Sequence, residues 1–199
     1  VNGEKDPLID NGHDANVEGS YIAGKLWNQW LIAGQIPTYW GPGHDGSLIR
    51  DDASRPVYGV TVQRANQNAF ESKWLSWVGP WQYQAFAGQL DDYKAVPDAK
   101  LIGLRLTARP FPALEIGASR AIQWGGDGRP ESLSSLWDAI TGTKDNGGTG
   151  KEDPSNQIAG FDGQLFLQPL LNVPVSLYGQ FIGEDEAGGL PAKYMYLGG

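Results

Sequence analysis

Two runs decide the fold: Leu101-Ile-Gly-Leu-Arg-Leu-Thr-Ala-Arg109 and, after a Pro-Phe-Pro link, Ala113-Leu-Glu-Ile-Gly-Ala-Ser-Arg-Ala-Ile-Gln-Trp124. In the first, Ile102, Leu104, Leu106 and Ala108 share one parity, and Gly103, Arg105, Thr107 and Arg109 share the other. In the second, Leu114, Ile116, Ala118, Ile122 and Trp124 oppose Glu115, Gly117, Ser119, Ala121 and Gln123, while Arg120 breaks the pattern. A period of two marks strands with one apolar and one polar face.

The same period recurs downstream. Phe161, Leu165 and Leu167 oppose Asp162, Gln164 and Gln168, and Val175, Leu177 and Phe181 oppose Ser176, Gln180 and Glu184. Weaker strand patterns lie at 21–39 (one strand or two), 57–64, 81–90 and 192–197. The links at 109–113 and 168–174 are tight turns, whereas those at 40–56, 91–98, 125–156 and 183–191 are long, polar and glycine-rich. Short links alternating with long ones, from about residue 81 onward, are the rhythm of an antiparallel transmembrane β-barrel. Segment 65–80 fits neither kind of link. The expected architecture is all-β: a segment of a larger barrel, about eight strands of roughly ten residues each, with a short helix in a long loop. A soluble β-sandwich would show the same alternation.

Charge placement agrees with a barrel. Of the 23 acidic residues, 15 fall in the four long links, five in the first 20 residues and one, Glu71, in the awkward segment. Glu115 and Asp162 are the two inside strands, both on the polar parity. A sheet that meets hydrocarbon must keep charge off its outward face.

Composition narrows the classes further. The chain has 199 residues, 40% of them hydrophobic, with 28 Gly and 13 Pro, and no run approaches the length of a membrane-spanning helix. Eight Trp, eight Tyr and six Phe oppose disorder. There is no Cys, hence no disulfide framework and no zinc–thiolate site. A net charge of −8 with no basic cluster excludes nucleic acid as a natural partner. Residues 1–19 form an acidic N-terminal segment, unlike a signal or transit peptide, and 20–199 the partial barrel. Because Lys193-Tyr-Met-Tyr-Leu-Gly-Gly199 stops inside a strand-like run, a piece of a longer chain is expected.

In 129–140, Leu133, Leu136, Trp137 and Ile140 recur at helical spacing, with Pro130 near the start and Gly142 past the end. Such a helix reads as a lid or plug across a barrel mouth, or as the closure of a soluble core.

Residues that could carry chemistry are few. His13 and His44 are the two histidines. His44 neighbours Asp45 and Ser47, but adjacent residues in a glycine loop do not converge as a triad, and no Gly-x-Ser-x-Gly elbow exists. No catalytic residue, metal or cofactor is assigned. Glu184-Asp185-Glu186 is a dense carboxylate cluster between Gly183 and Gly188-Gly189. It could be solvated, bind a ligand or Ca²⁺, or take part in glycoside hydrolysis. Trp40 and Trp124 stand beside glycine-rich loops with acids, where a flat ring can stack on a sugar. Trp77 and Trp81, around Gly79-Pro80, suit an interfacial girdle or turn packing.

Taken together, Tyr39-Trp-Gly-Pro-Gly-His-Asp-Gly-Ser-Leu-Ile49, Trp74-Leu-Ser-Trp-Val-Gly-Pro-Trp81, Ala118-Ser-Arg-Ala-Ile-Gln-Trp-Gly-Gly-Asp-Gly-Arg-Pro130, Asn156-Gln-Ile-Ala-Gly-Phe-Asp162 and Tyr178-Gly-Gln-Phe-Ile-Gly-Glu-Asp-Glu-Ala-Gly-Gly-Leu-Pro191 resemble the capsule assembly protein Wzi family, in order from about residue 20 to the end. The resemblance implies a bacterial outer-membrane barrel that acts as a lectin and helps retain capsular polysaccharide, without catalysis or cofactor. On physical grounds the polysaccharide-binding candidates are Trp40, Asp45, Trp124, Asp127, Arg129, Glu184 and Asp185. Arg129 is suited to pair a uronate carboxylate. Expected partners are surface polysaccharide and outer-membrane lipid, the chain acting as a monomer. The alternatives are a porin or solute channel and a secreted glycosidase.

Overall fold

A computed structural model describes residues 19–36, 38–43, 46–50, 57–90, 96–141, 155–184 and 194–198. Of the expected features, the segment 1–18, His44, Asp45, Asp185 and much of the long links fall outside these residues.

Nine strands form one antiparallel sheet in sequence order: β1 (Tyr21–Leu26), β2 (Gln29–Ile36), β3 (Val57–Arg64), β4 (Trp81–Gln89), β5 (Lys100–Phe111), β6 (Leu114–Trp124), β7 (Ser155–Phe166), β8 (Ser176–Glu184) and β9 (Tyr194–Gly198). That is one more than the expected eight, because 21–39 folds as the hairpin β1–β2. Strictly sequential antiparallel pairing is the meander from which up-and-down barrels are built. Among the described residues the sheet is open, with β1 and β9 at its edges.

Register places the two parities of each strand on common faces. Ala85, Leu104 and Arg120 lie side by side across β4, β5 and β6, as do Ala87, Ile102 and Ile122. Phe161 pairs with Ala118 on β6 and with Phe181 on β8. The apolar parity therefore makes one continuous surface, and it is not sealed: Val60, Leu104, Leu106, Ile116, Phe161, Leu177 and Phe181 are all exposed. No second sheet of described residues packs on it, as a sandwich would require.

The polar parity lies on the concave side. Gln84 on β4 and Gln180 on β8 both bind Trp40, yet four strand spacings separate them, about 19 Å in a flat sheet. The sheet curls around this face to bring them to one residue. The apolar face is thus the outward one.

At the end where strands join by short links, the backbone is closely tied. Asn28 in the β1–β2 turn accepts the amides of Ala65 and Asn66. Segment 65–80 belongs to this end and contains a 3₁₀ turn at Ser76–Val78. Its aromatic residues divide: Phe70 stacks on Trp81 of β4 at 4.6 Å, whereas Trp74 and Trp77 are exposed. The expected tight turn at 109–113 is shorter still, since β5 runs through Pro110 to Phe111 with a register irregularity after Ala108. Proline is tolerated there because an irregularity frees its position from the hydrogen-bond ladder. The link at 168–174 holds the four-residue helix α2 (Gln168–Leu171).

The expected helix is present as α1 (Leu133–Thr141), starting three residues after Pro130. Its position overturns the reading of a plug across the mouth. It packs on β6 against Ile122 and Trp124, which belong to the outward parity. Its apolar stripe also does not all face the protein. Ser135, Leu136 and Ala139 meet the sheet, while Leu133 is 85% and Trp137 66% exposed.

Candidate functional site

The residues that turn inward are 38–43 and 46–50. Trp40 is 1% exposed, and its Nε1–H donates to Gln84 Oε1 at 2.6 Å. Its ring meets Phe86 with centroids 5.2 Å apart, and its carbonyl accepts from Gln180 Nε2 at 3.1 Å and from the Ser47 hydroxyl. Gln180 Oε1 in turn accepts the Leu48 amide at 2.9 Å, so one buried amide side chain fixes two points of the segment. Trp40 and Arg50 form an isolated antiparallel bridge, and the Arg50 guanidinium lies 4.9 Å from the Phe86 ring centre. Tyr39 donates to the carbonyls of Gly43 and Gly46, closing the loop on itself. Gly103 makes the approach possible, because a Cβ there would collide with the Phe86 and Trp40 rings.

Below this segment, Arg105 holds Asp162 through two N–H···O bonds of 2.6 and 2.8 Å and donates to Ser119 at 2.7 Å. A cleft of about 140 Å³ remains between loop and strands, lined by Tyr39, Trp40, Gln82, Gln84, Arg105 and Thr107. Aromatic edges with amide, hydroxyl and guanidinium groups suit a polyhydroxylated ligand.

A second cluster sits at the long-loop end, after β6. Gly125, Gly126 and Gly128 take φ of 68°, 99° and 76°, values that L side chains rarely adopt, and they turn the chain sharply. Asp127 N–H donates to the Pro97 carbonyl at 2.9 Å and Gly126 N–H to Glu131 at 2.8 Å. Glu131 also pairs with Lys100 at 2.5 Å. The Lys100 ammonium and then the Gly126 amide hold its carboxyl below the ordinary range. Asp127 is exposed, and Arg129 is half-buried, its buried Nη1 without a hydrogen-bond partner among the described residues.

The expected site residues thus fall in different places. Trp40 belongs to the inward segment on the concave face. Trp124 lies on the opposite face beneath α1, its Nε1–H donating to Ser135 at 3.1 Å. Both rings are buried, and each anchors a loop or helix to the sheet. Asp127 and Arg129 share the rim turn. Glu184 ends β8 opposite Ile158, and its side chain falls outside the described residues, as do Asp45 and Asp185. Sequence reading missed Gln84, Arg105, Asp162 and Gln180 as members of a cluster. Their one signal was polar character on the inward parity of four different strands.

The profile of the capsule assembly protein Wzi family matches residues 4–199. The chain is 59% identical over 191 residues to a 55.8 kDa protein of the cps region of Klebsiella pneumoniae, covering 96% of this chain and 38% of that protein. Among solved structures it is similar to Wzi of Escherichia coli, described as an outer membrane protein involved in group 1 capsule assembly and a carbohydrate-binding β-barrel. That similarity has a TM-score of 0.78 and 55% identity, and covers 92% of this chain and 38% of the other. The chain therefore spans 38% of the length of either relative. With a matching profile over nearly all residues, and the sequential antiparallel sheet of a barrel wall, the chain belongs to the capsule assembly protein Wzi family.

Proposed function

We propose that this chain forms part of the wall and mouth of a bacterial outer-membrane β-barrel that binds capsular polysaccharide and helps attach the capsule at the cell surface. The observation that carries this reading is its 55% identity to a carbohydrate-binding outer-membrane barrel. Two features support it. The outward apolar face, exposed along most of its length, suits lipid, and residues 38–43 and 46–50 lie across the concave face, where a porin needs open space. The barrel acts as a monomer without catalytic step, metal or cofactor.

Of the candidate residues, Asp127 and Arg129 offer polar groups at the rim, the end that long loops give to the outside. The half-buried Arg129 suits a contact to an acidic sugar, since a guanidinium gains most from a carboxylate. Trp40 and Trp124 serve by fixing the surrounding backbone. Asp45, Glu184 and Asp185 complete the proposed set from neighbouring loops.

The test uses full-length protein and purified capsular polysaccharide. Arg129→Ala should weaken binding about tenfold, the loss of one charge-assisted hydrogen bond of about 1.5 kcal/mol, without changing folded abundance. Unchanged affinity would remove Arg129 from the site. A steady large conductance of the wild-type protein in a planar bilayer would favour the porin instead. Sugar release that disappears in Glu184→Gln would favour a glycosidase.

A further inference from the structure

We propose that Arg50 is the anion-recognition residue of the inward segment, and that it takes the carboxylate of an acidic sugar in the bound polysaccharide. This rests on the capsule-binding reading and deepens it, by naming a charge the ligand carries and the side chain that meets it.

Arg50 is 7% exposed. Its Nε–H donates to the Thr38 hydroxyl, and its guanidinium lies over the Phe86 ring. Nη1 and Nη2 donate to no described residue. Neither belongs to the sealed and unbonded side-chain nitrogens, which are those of Trp81, Gln123 and Arg129. Thr38, Trp40 and Phe86, the residues that hold Arg50, carry no charge. Among the described residues the ion pairs are Lys100 with Glu131 and Arg105 with Asp162, so Arg50 has no carboxylate. Burial lowers its pKa, and no acidic neighbour offsets this.

A guanidinium cannot escape burial by shedding its proton, and a cation taken out of water without a counter-charge is costly. Arg105, equally inward, shows the usual solution, a carboxylate supplied by the protein. At Arg50 the counter-charge arrives with the ligand. Thr38 occupies Nε, and stacking on Phe86 sets the plane of the group. The two Nη groups then present an end-on fork, which a planar carboxylate meets with both oxygens. One positive charge among uncharged neighbours balances a monoanion, whereas a phosphate dianion would leave charge over.

The position suits a ligand from outside. Gln84, which holds Trp40, and Phe86, which carries Arg50, are successive inward residues of β4, about 7 Å apart. β4 runs from the short-link end toward a long loop, so Phe86 is nearer the outer mouth. Arg50 therefore stands on the side from which surface polysaccharide approaches.

The test measures binding of the full-length protein in detergent to two polymers, at fixed ionic strength because both partners are charged. One is a capsular polysaccharide with a uronate in its repeat unit; the other is that polymer with its carboxyls reduced to primary alcohols. Wild type should bind the reduced polymer at least about tenfold more weakly. Arg50→Gln should bind both alike, near the wild-type affinity for the reduced one, whereas Arg129→Ala should still tell them apart. Arg50→Lys, which keeps the charge and loses the fork, should retain part of the discrimination. An equal loss for both polymers in Arg50→Gln would make Arg50 a clamp of the segment and overturn the inference, as would undiminished discrimination. Glucuronate should displace the polymer from wild type where acetate at the same concentration does not. Equal competition by acetate would overturn the assignment to a sugar. Wild type that binds both polymers equally tightly would end this inference alone; wild type that binds neither would end the polysaccharide reading with it.

Discussion

Arg105 on β5 and Asp162 on β7 grip each other across the intervening strand, through bonds of 2.6 and 2.8 Å between side chains that are 12% and 5% exposed. Gly117 on β6 leaves the room, for a Cβ there would strike both groups. The pair ties three strands on the concave side, and desolvation offsets much of its attraction. Removing one partner is another matter, because the survivor stays desolvated and unpaired. Asp162→Ala should therefore cost about 3–5 kcal/mol of barrel stability. The double variant Arg105→Met with Asp162→Leu should lose clearly less. Unfolding of the full-length protein in detergent measures both, and an equal loss in single and double variants would count against a coupled pair.

Gly103 predicts a second effect. In Gly103→Val the new side chain displaces the Trp40 and Phe86 rings, and with them the segment held by Gln84 and Gln180. The strands keep their pairing, since valine is a good strand residue. Cleavage by trypsin after Arg50 should become faster, and residual conductance in a planar bilayer should rise. A variant as protease-resistant and as closed as wild type would show that the segment is not held through Trp40.

Much of the sheet was legible because period two is a local signal, carried by pairs such as Leu104 and Arg105 whatever the rest of the chain does. Arg120 shows the other side of this. As a break in the outward pattern it was visible, but its cause, a helix end 20 residues later, was not. The same distance effect hides the partners of the aromatics. Trp40 and Trp124 stand beside glycine loops, as sugar-stacking rings do, yet their partners Gln84, Gln180 and Ser135 come from elements that no local pattern links to them. The helix was found by its apolar spacing and aimed wrongly by it, because small Ser135 and Ala139 allow close approach to the sheet while Leu133 and Trp137 stay outside.

Arg120 itself supplies a third prediction. It satisfies carbonyls at the C-terminus of α1, where a cation also meets the negative end of the helix dipole. Arg120→Leu would extend the apolar pattern of β6 and leave the strand intact, but should release the last turn of α1 at a cost of about 1 kcal/mol. Hydrogen exchange of the 139–141 amides should accelerate, with β6 and β7 unaffected. If α1 keeps its protection, Gln157 and the Ala139 contact with Ile122 and Trp124 hold it unaided.

The rim turn should respond to pH with a defined sign. Glu131 is bound to Lys100 at 2.5 Å and to the Gly126 amide at 2.8 Å, and these hold its carboxyl below the ordinary range. A carboxyl depressed in the folded state contributes fully above its unfolded pKa, about 4.3, and loses that contribution as pH falls through the lower folded value. The turn that carries Asp127 and Arg129 should be ordered at neutral pH and loosen only in acid. A nitroxide at Ser132→Cys should report this as mobility that rises below the ordinary glutamate range. In Glu131→Gln it should be mobile already at neutral pH, because the amide lacks the charge that draws Lys100. Concentrated salt should shift the wild type toward the variant, since both partners are partly exposed and their attraction is screened. An acid transition of the same size in Glu131→Gln would place the titrating group elsewhere in the rim.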